Sequence, residues 1–230
     1  MVASTLEYED AVEFGIAKEK IHVIPYGIEV PHQSKIETDR ASGPFHILFA
    51  GDINRTHRIE LILRAARKLT VPFQITLVDR DDRPDHEKPR ILQELRKLCQ
   101  TLGIEDRVEF AERKSPDAMN ALYQKADVLV HPAIYENFGM PMLEAAAAGL
   151  PLIATPVGVA LELVTSGETG FIVPADPDTI CDRLLQLSEP KTRAEFSQNL
   201  RQRARQLFGW NNVMERYLEL YRQLAPGGNW

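Results

Sequence analysis

The sequence predicts an α/β fold, a doubly wound, Rossmann-like parallel sheet followed by C-terminal helices. The first observation is alternation. From Phe45 onward, apolar runs of strand length at 45–50, 73–78, 108–110, 127–131, 152–155 and 170–173 are separated by helical periodicities. Strands that alternate with helices build βαβ units, hence a parallel sheet covered by helices on both faces. The second observation is that nothing repeats at a fixed solenoid period, so the alternation belongs to one sheet.

The elements follow in order. Residues 1–15 carry Leu6, Ala11, Val12 and Phe14 in a short amphipathic pattern, which Gly15 stops. Residues 20–28, K-I-H-V-I-P-Y-G-I, alternate well enough for a short strand and a Pro-Tyr-Gly turn. Residues 31–44 are polar, without periodicity, and read as a linker. The helical stretches between strands are 59–69, 91–102, 117–124 and 140–148, with a short turn near 160–164. Three more, at 178–187, 193–208 and 213–224, finish the chain.

Composition bounds the function. The chain has 230 residues, 44% hydrophobic and 26% charged, with a net charge of −6. That is an ordinary globular balance, and its sign, with no basic run, argues against nucleic-acid binding. No apolar stretch approaches the roughly 20 residues of a membrane span, and the acidic start is unlike a signal peptide. Cys99 and Cys181 have neither disulfide-framework nor metal spacing, which fits a reduced, cytoplasmic setting. The six histidines show no metal-ligand spacing, and His131, closing an apolar run, reads as a core-edge residue. An acidic cluster at 79–85 could hold a divalent cation but reads more simply as a solvated loop, so no metal and no cofactor is expected.

The stretch 133–151, A-I-Y-E-N-F-G-M-P-M-L-E-A-A-A-A-G-L-P, carries the chemistry. Pro141 near a helix start, an Ala-rich body and Gly149 as a stop describe a helix whose N-terminus follows Phe138-Gly139. Such an end presents unpaired N–H groups and positive dipole to an anion or a hydroxyl-rich ligand. Taken singly, Glu144 could complement the dipole, worth about 0.3 to 1 kcal/mol, and Glu136 could be a solvated loop acid. Topology points the same way as the motif. In a sheet of order 3-2-1-4-5-6 the ligand crevice lies between the loops after strands one and four, here 51–57 and 132–139.

Together these residues resemble the signature of the retaining nucleotide-sugar glycosyltransferases of family 4, which have the GT-B fold. That signature has two Glu with seven residues between them, a Phe-Gly in the interval, and E-A-x-A-x-G-x-P following. Glu136, Phe138, Gly139, Glu144, Ala145, Ala147, Gly149 and Pro151 supply every letter. The resemblance extends to Pro25-Tyr26-Gly27-Ile28-Glu29, Phe49-Ala50-Gly51, Arg107-Val108-Glu109-Phe110, Ala126-Asp127-Val128 and Trp210…Tyr217…Tyr221. It covers nearly the whole chain, but only the C-terminal, donor-binding half of the family's enzyme.

The resemblance implies an organisation. Residues 1–30 would be a remnant of the N-terminal domain and the hinge segment, 31–44 a linker, 45–210 the nucleotide-sugar-binding domain, and 211–230 a C-terminal helix and tail. It also implies roles. Glu136 would be the catalytic residue facing the donor sugar's hydroxyls. The backbone N–H groups of Asn137, Phe138, Gly139 and Met140 would hold sugar and distal phosphate, and Glu144 would take the ribose hydroxyls. Gly51, His57, Arg58 and Arg113 would complete the donor site, Arg113 near the nucleobase. The partners implied are a UDP- or GDP-sugar and a missing or separate acceptor-binding domain. Any membrane association would be peripheral and through that absent half.

Departures from the pattern matter as much. The family usually has Gly-Arg-Leu after strand one and a Lys-Gly further on, whose cations grip the diphosphate. Here Asp52 and His57-Arg58 stand there, with Arg55, Arg58 or a protonated His57 as the partial replacements in reach. Charge-assisted hydrogen bonds contribute about 1.5 to 3 kcal/mol each. The family's Gly-x-Gly after strand two is Asp79-Arg80-Asp81-Asp82, and one family glycine is Val159. Two further readings stand beside the donor half: a degenerate, non-catalytic module kept for interaction, and a generic flavodoxin-type nucleotide-binding domain, which leaves the two-Glu signature unexplained.

Overall fold

The computed structural model describes residues 1–31, 43–80, 86–112 and 114–225. Its centre is a six-stranded, all-parallel sheet of order β3-β2-β1-β4-β5-β6. The strands are β1 (Phe45–Gly51), β2 (Phe73–Asp79), β3 (Val108–Ala111), β4 (Val128–His131), β5 (Leu152–Ala154) and β6 (Gly170–Ile172). Helix α1 (Thr5–Glu13) precedes the sheet. Between strands run α2 (Glu60–Ala66), α3 (Lys88–Leu102), α4 (Pro116–Lys125), α5 (Met140–Ala148) and α6 (Ala160–Leu163). Helices α7 (Pro177–Ser188), α8 (Pro190–Phe208) and α9 (Trp210–Leu224) follow β6.

The central strands β1, β4 and β5 are almost wholly buried because both faces are covered, whereas the edge strand β3 exposes Glu109. Along β1, Leu48 and Ala50 face one core, with Leu129, Met142, Leu143, Leu200 and Phe208. Ile47 and Phe49 face the other, with Ile62, Leu63, Ile91, Val130, Ile180 and Leu184. One strand therefore builds both layers.

Two sequence expectations change. Residues 20–28 do not form a sheet strand. A 3-10 turn at Lys18–Lys20 leads into an extended segment in which Val23 bridges Val2, and Ile28 bridges Gly209. Pro25 has no N–H to give a ladder, and the segment lies against α9 instead, with Ile24 packed on Val213 and Leu220. Asp127 lies outside β4. Its carboxylate accepts from His46 N–H at 2.7 Å and pairs with Arg193 at 3.1 Å, which fixes the start of α8 beside the start of β1. The expected linker 31–44 falls largely on residues 32–42, outside the described residues.

Candidate functional site

The β1–α2 loop and the β4–α5 loop stand at the point where the strand order reverses, between β1 and β4. They touch: Ile134 N–H donates to Thr56 O at 2.8 Å. Thr155 at the end of β5 donates its hydroxyl to the Ala133 carbonyl, anchoring the root of the second loop. The crevice of the sequence prediction is therefore a built feature.

Glu136 sits in that crevice between two imidazoles. His57 Nε2 and His131 Nε2 each lie 3.4 Å from Glu136 Oε2. His57 is positioned by its own N–H, which donates to Asn54 Oδ1 at 3.1 Å, and His131 ends β4. Phe49 backs both rings, stacked on His131 at 6.1 Å and edge-on to His57 at 5.7 Å. Burial by itself would raise the Glu136 carboxyl, but the two imidazoles outweigh it and hold the group down to about 2. Burial pushes the His131 imidazole down, against the pull of Glu136. His131 is only 1% exposed, and neither of its ring nitrogens has a hydrogen-bond partner among the described residues. It closes β4 with Nε2 facing the Glu136 carboxylate, so it belongs to the crevice as well as to the edge of the core.

Two glycines let the loop approach. Gly139 caps α5 at φ 89°, and a Cβ there would collide with the Met142 methyl and come 3.1 Å from Glu136 Cγ. Gly158, at φ 48°, lies under the loop, where a Cβ would strike the Phe138 carbonyl and again come 3.1 Å from Glu136 Cγ. Phe138 O accepts from Val159 N–H at 2.7 Å, and the Phe138 ring is clamped edge-on by Tyr26 at 4.9 Å and Phe208 at 6.3 Å. The buried hydroxyl of Ser4 donates to Asn137 O at 3.2 Å, so the chain's first residues also brace this loop. Among the described residues nothing accepts from the N–H groups of Asn137, Phe138, Gly139 or Met140, which leaves them to an anion at the helix N-terminus.

Glu144 lies apart from this crevice, in a cavity of about 780 Å³ lined by α4 and α5 together with Ile28, Arg80 and Arg201. It is already held. Arg80 donates through both terminal nitrogens, and Tyr123 donates its hydroxyl to Oε2 at 2.8 Å. Burial and the Glu144 charge push the Tyr123 phenol well above its usual range, keeping it a donor. Burial would lower the Arg80 guanidinium, but Glu144 and Tyr123 reverse that and raise it, so the guanidinium stays charged. Sequence reasoning did not pick out Arg80 or Tyr123 as partners of Glu144, and no local spacing could have done so.

The remaining expected residues divide. Gly51 ends β1 at the crevice wall. Arg58 has φ 49°, the left-handed conformation that suits the glycine the resemblance places there. Arg55 is turned away to Glu94 on α3 at 3.1 Å and does not replace the missing cations. Asp79 pairs with Lys88 at 2.9 Å. Arg113 and residues 81–85 lie outside the described residues, although Lys114, Ser115 and Pro116 line the cavity beside Glu144.

The sheet order, with Glu136 in the switch-point crevice and Glu144 in the cavity behind α5, defines a Rossmann-like domain of the GT-B type. The chain belongs to the glycosyl transferases group 1 family, whose model matches residues 32–206. It is 32% identical over 183 residues to a D-inositol 3-phosphate glycosyltransferase of Corynebacterium urealyticum, covering 76% of this chain and 42% of that protein. Among solved structures, sucrose-phosphate synthase from Thermosynechococcus elongatus superposes with TM-score 0.84 at 26% identity, over 97% of this chain and 57% of the other. HepE from Anabaena, solved in complex with UDP and glucose, shares the fold with TM-score 0.82 at 20% identity, over 97% and 61%. The chain thus spans about half the length of the proteins it matches. Among the described residues no helix is long and apolar enough to cross a membrane.

Proposed function

We propose that this chain is the donor-binding half of a retaining family 4 glycosyltransferase, moving a sugar from a UDP- or GDP-sugar to an acceptor held by a second domain. The observation that carries the proposal is the placing of two glutamates of one motif. Glu136 stands in the switch-point crevice at the N-terminus of α5, and Glu144 lines a cavity of about 780 Å³ behind it. That volume lies in the range of small-molecule sites, roughly 300 to 1,000 Å³.

On this reading the nucleoside fills the cavity, with its ribose against Glu144 and its base toward Lys114, Ser115 and Pro116. The diphosphate crosses the N-terminus of α5, where the amides of Asn137 to Met140 and the Gly51, His57 and Arg58 wall receive it. The sugar then lies at Glu136. Catalysis is positioning of the reacting groups plus stabilisation of the departing nucleoside diphosphate, with attack on the same face the leaving group quits. HepE, similar in fold, binds UDP, which supports a uridine donor. The acceptor falls to a second domain, in line with the chain's half-length match to its relatives, and the setting is cytoplasmic.

Two observations favour the non-catalytic reading: Glu144 is engaged by Arg80 and Tyr123, and Asp52 replaces a family arginine. Calorimetric titration with UDP, GDP and ADP, repeated on Glu144→Ala, separates the two. Selective binding of one nucleotide, lost in the variant, supports the donor half. Silence with all three nucleotides sinks it in favour of the non-catalytic module.

A further inference from the structure

We propose that Arg80 is a phosphate-binding residue of the donor site, taking the phosphate attached to the ribose on the edge of its guanidinium that Glu144 leaves open. The inference rests on the donor-binding reading and adds to it a residue outside the two-glutamate motif. A guanidinium carries five N–H groups in a fixed fork. Nη1 uses two, on the Tyr123 hydroxyl at 3.2 Å and on Glu144 Oε2, and Nη2 gives one to Oε1 at 3.2 Å. That leaves the second Nη2–H and the Nε–H, side by side on one edge of the planar group. Neither has a partner among the described residues. The Arg80 side chain is 29% accessible and lines the cavity, and none of its nitrogens is a buried orphan. The open edge therefore meets the cavity and not the core. Two parallel donors of this kind match a phosphate bidentately.

The place of Arg80 in the fold points to the same role. It follows the last residue of β2, and its N–H donates to Gly51 O at 3.2 Å, so its backbone touches the crevice wall. Its side chain crosses from there to Glu144 on α5. Arg80 thus joins the crevice to the cavity behind it. A nucleotide with its ribose at Glu144 and its distal phosphate at the α5 amides runs its first phosphate past that side chain. Glu144 and Tyr123 fix the guanidinium beforehand, so little side-chain freedom remains to be lost on binding. The charge is also needed. Asp52 stands where the resemblance puts a cation after β1, and Arg55 is paired with Glu94. Arg80 supplies positive charge from the neighbouring strand instead. The same edge would match O6 and N7 of guanine, so the test separates phosphate from base.

The test titrates the full chain with uridine and UMP, and in parallel with guanosine and GMP, by ligand-observed NMR, which reads weak nucleoside binding. The quantity of interest is the ratio of monophosphate to nucleoside affinity, because damage to the fold or to the ribose contact weakens both members alike. In Arg80→Gln that ratio should fall about tenfold, one charge-assisted contact. Arg80→Lys keeps a charge beside Glu144 without the two-donor edge, so it should show part of the fall and carries the test if the Gln variant is unstable. In Glu144→Gln the guanidinium loses its neutralising carboxylate, and the ratio should hold or rise. A ratio unchanged in Arg80→Gln, with nucleoside and monophosphate weakened together, would mean that Arg80 only orients Glu144 or meets the base, and overturns the assignment while the donor reading stands. An equal fall in Glu144→Gln would give the effect to the pair and overturn it too. Silence of the native chain toward all four compounds sinks the donor reading, and the role of Arg80 with it.

Discussion

Arg80 grips Glu144 through both terminal guanidinium nitrogens, with Nη2 3.2 Å from Oε1, while Tyr123 donates to Oε2 at 2.8 Å. A carboxylate offers about four acceptor sites, and three are taken here. A ribose diol approaching Glu144 finds one, so a nucleotide bound beside intact Arg80 should be poorly sensitive to loss of a hydroxyl. We expect UDP and 2′-deoxy-UDP to bind the native chain within about threefold of each other. In Arg80→Ala the freed acceptors should widen that ratio to about tenfold, roughly one added hydrogen bond. Calorimetric titration of both nucleotides on both proteins checks this. An unchanged ratio would mean that Glu144 does not read the ribose.

The acid side of the stability profile should report the histidine–glutamate cluster. Glu136 is held at about 2 against an ordinary 4.5, so its contribution is present above pH 4.5 and is lost as pH falls toward 2. His131 is lowered from 6.5, so the folded state resists its protonation and stability declines as pH falls through 6.5. Both slopes have the same sign. Urea unfolding from pH 7.5 to 3.5 should therefore show falling stability throughout. The gap between the native chain and Glu136→Gln should narrow below pH 4.5. A gap that widens in acid would reverse the assigned direction for Glu136.

Much of this architecture is legible in the sequence, for a physical reason. Strands β1, β4 and β5 are covered on both faces, so their residues are largely apolar, and such runs stand out. Helix α5 is equally plain, since Pro141 and Gly149 mark its ends. Residues 20–28 have strand-like alternation, but their partners, Val2 and Gly209, are single bridges outside the sheet. Alternation reports a half-buried extended chain and not what it pairs with. The carboxylates were legible as a motif, but their neighbours were not. Arg80 reaches Glu144, and His57 reaches Glu136, only because β2 and β4 flank β1.

Asp127 illustrates a polar residue whose importance is structural. It joins His46 N–H on β1 to Arg193 on α8, and the two side chains are 11% and 15% exposed. Removing one partner strands the other charge, so Asp127→Ala should cost about 3 kcal/mol. In a chain of this size that lowers Tm by about 6 to 12 °C. Adding Arg193→Met should recover about half, because no unpaired guanidinium then remains. Thermal unfolding of the three variants decides this, and a double variant no better than the single would show that the His46 contact alone matters.

Gly158 connects backbone geometry to the site. A Cβ there would meet the Phe138 carbonyl and approach Glu136 Cγ at 3.1 Å, in a left-handed conformation. Gly158→Ala should therefore cost about 1 to 3 kcal/mol of strain and shift the two-glutamate loop. Nucleotide affinity should drop at least tenfold, more than for a change of similar stability cost at Asp127, which is remote from the crevice. Equal affinity losses in the two would trace the effect to unfolding alone.

Arg58 separates conformation from binding. Its φ of 49° costs an L-residue about 1 to 2 kcal/mol, and its side chain gains little in return, lying 3.9 Å from Glu60 in a partly exposed pair. Arg58→Gly should therefore stabilise the fold by about 1 kcal/mol. If the guanidinium also reaches the diphosphate, as the donor site assigns, the same change should weaken UDP about tenfold, one charge-assisted contact. Stability and affinity then move in opposite directions, a result that loop damage cannot produce. Higher Tm with unaltered UDP affinity would remove Arg58 from the donor site and leave the diphosphate to His57 and the α5 amides.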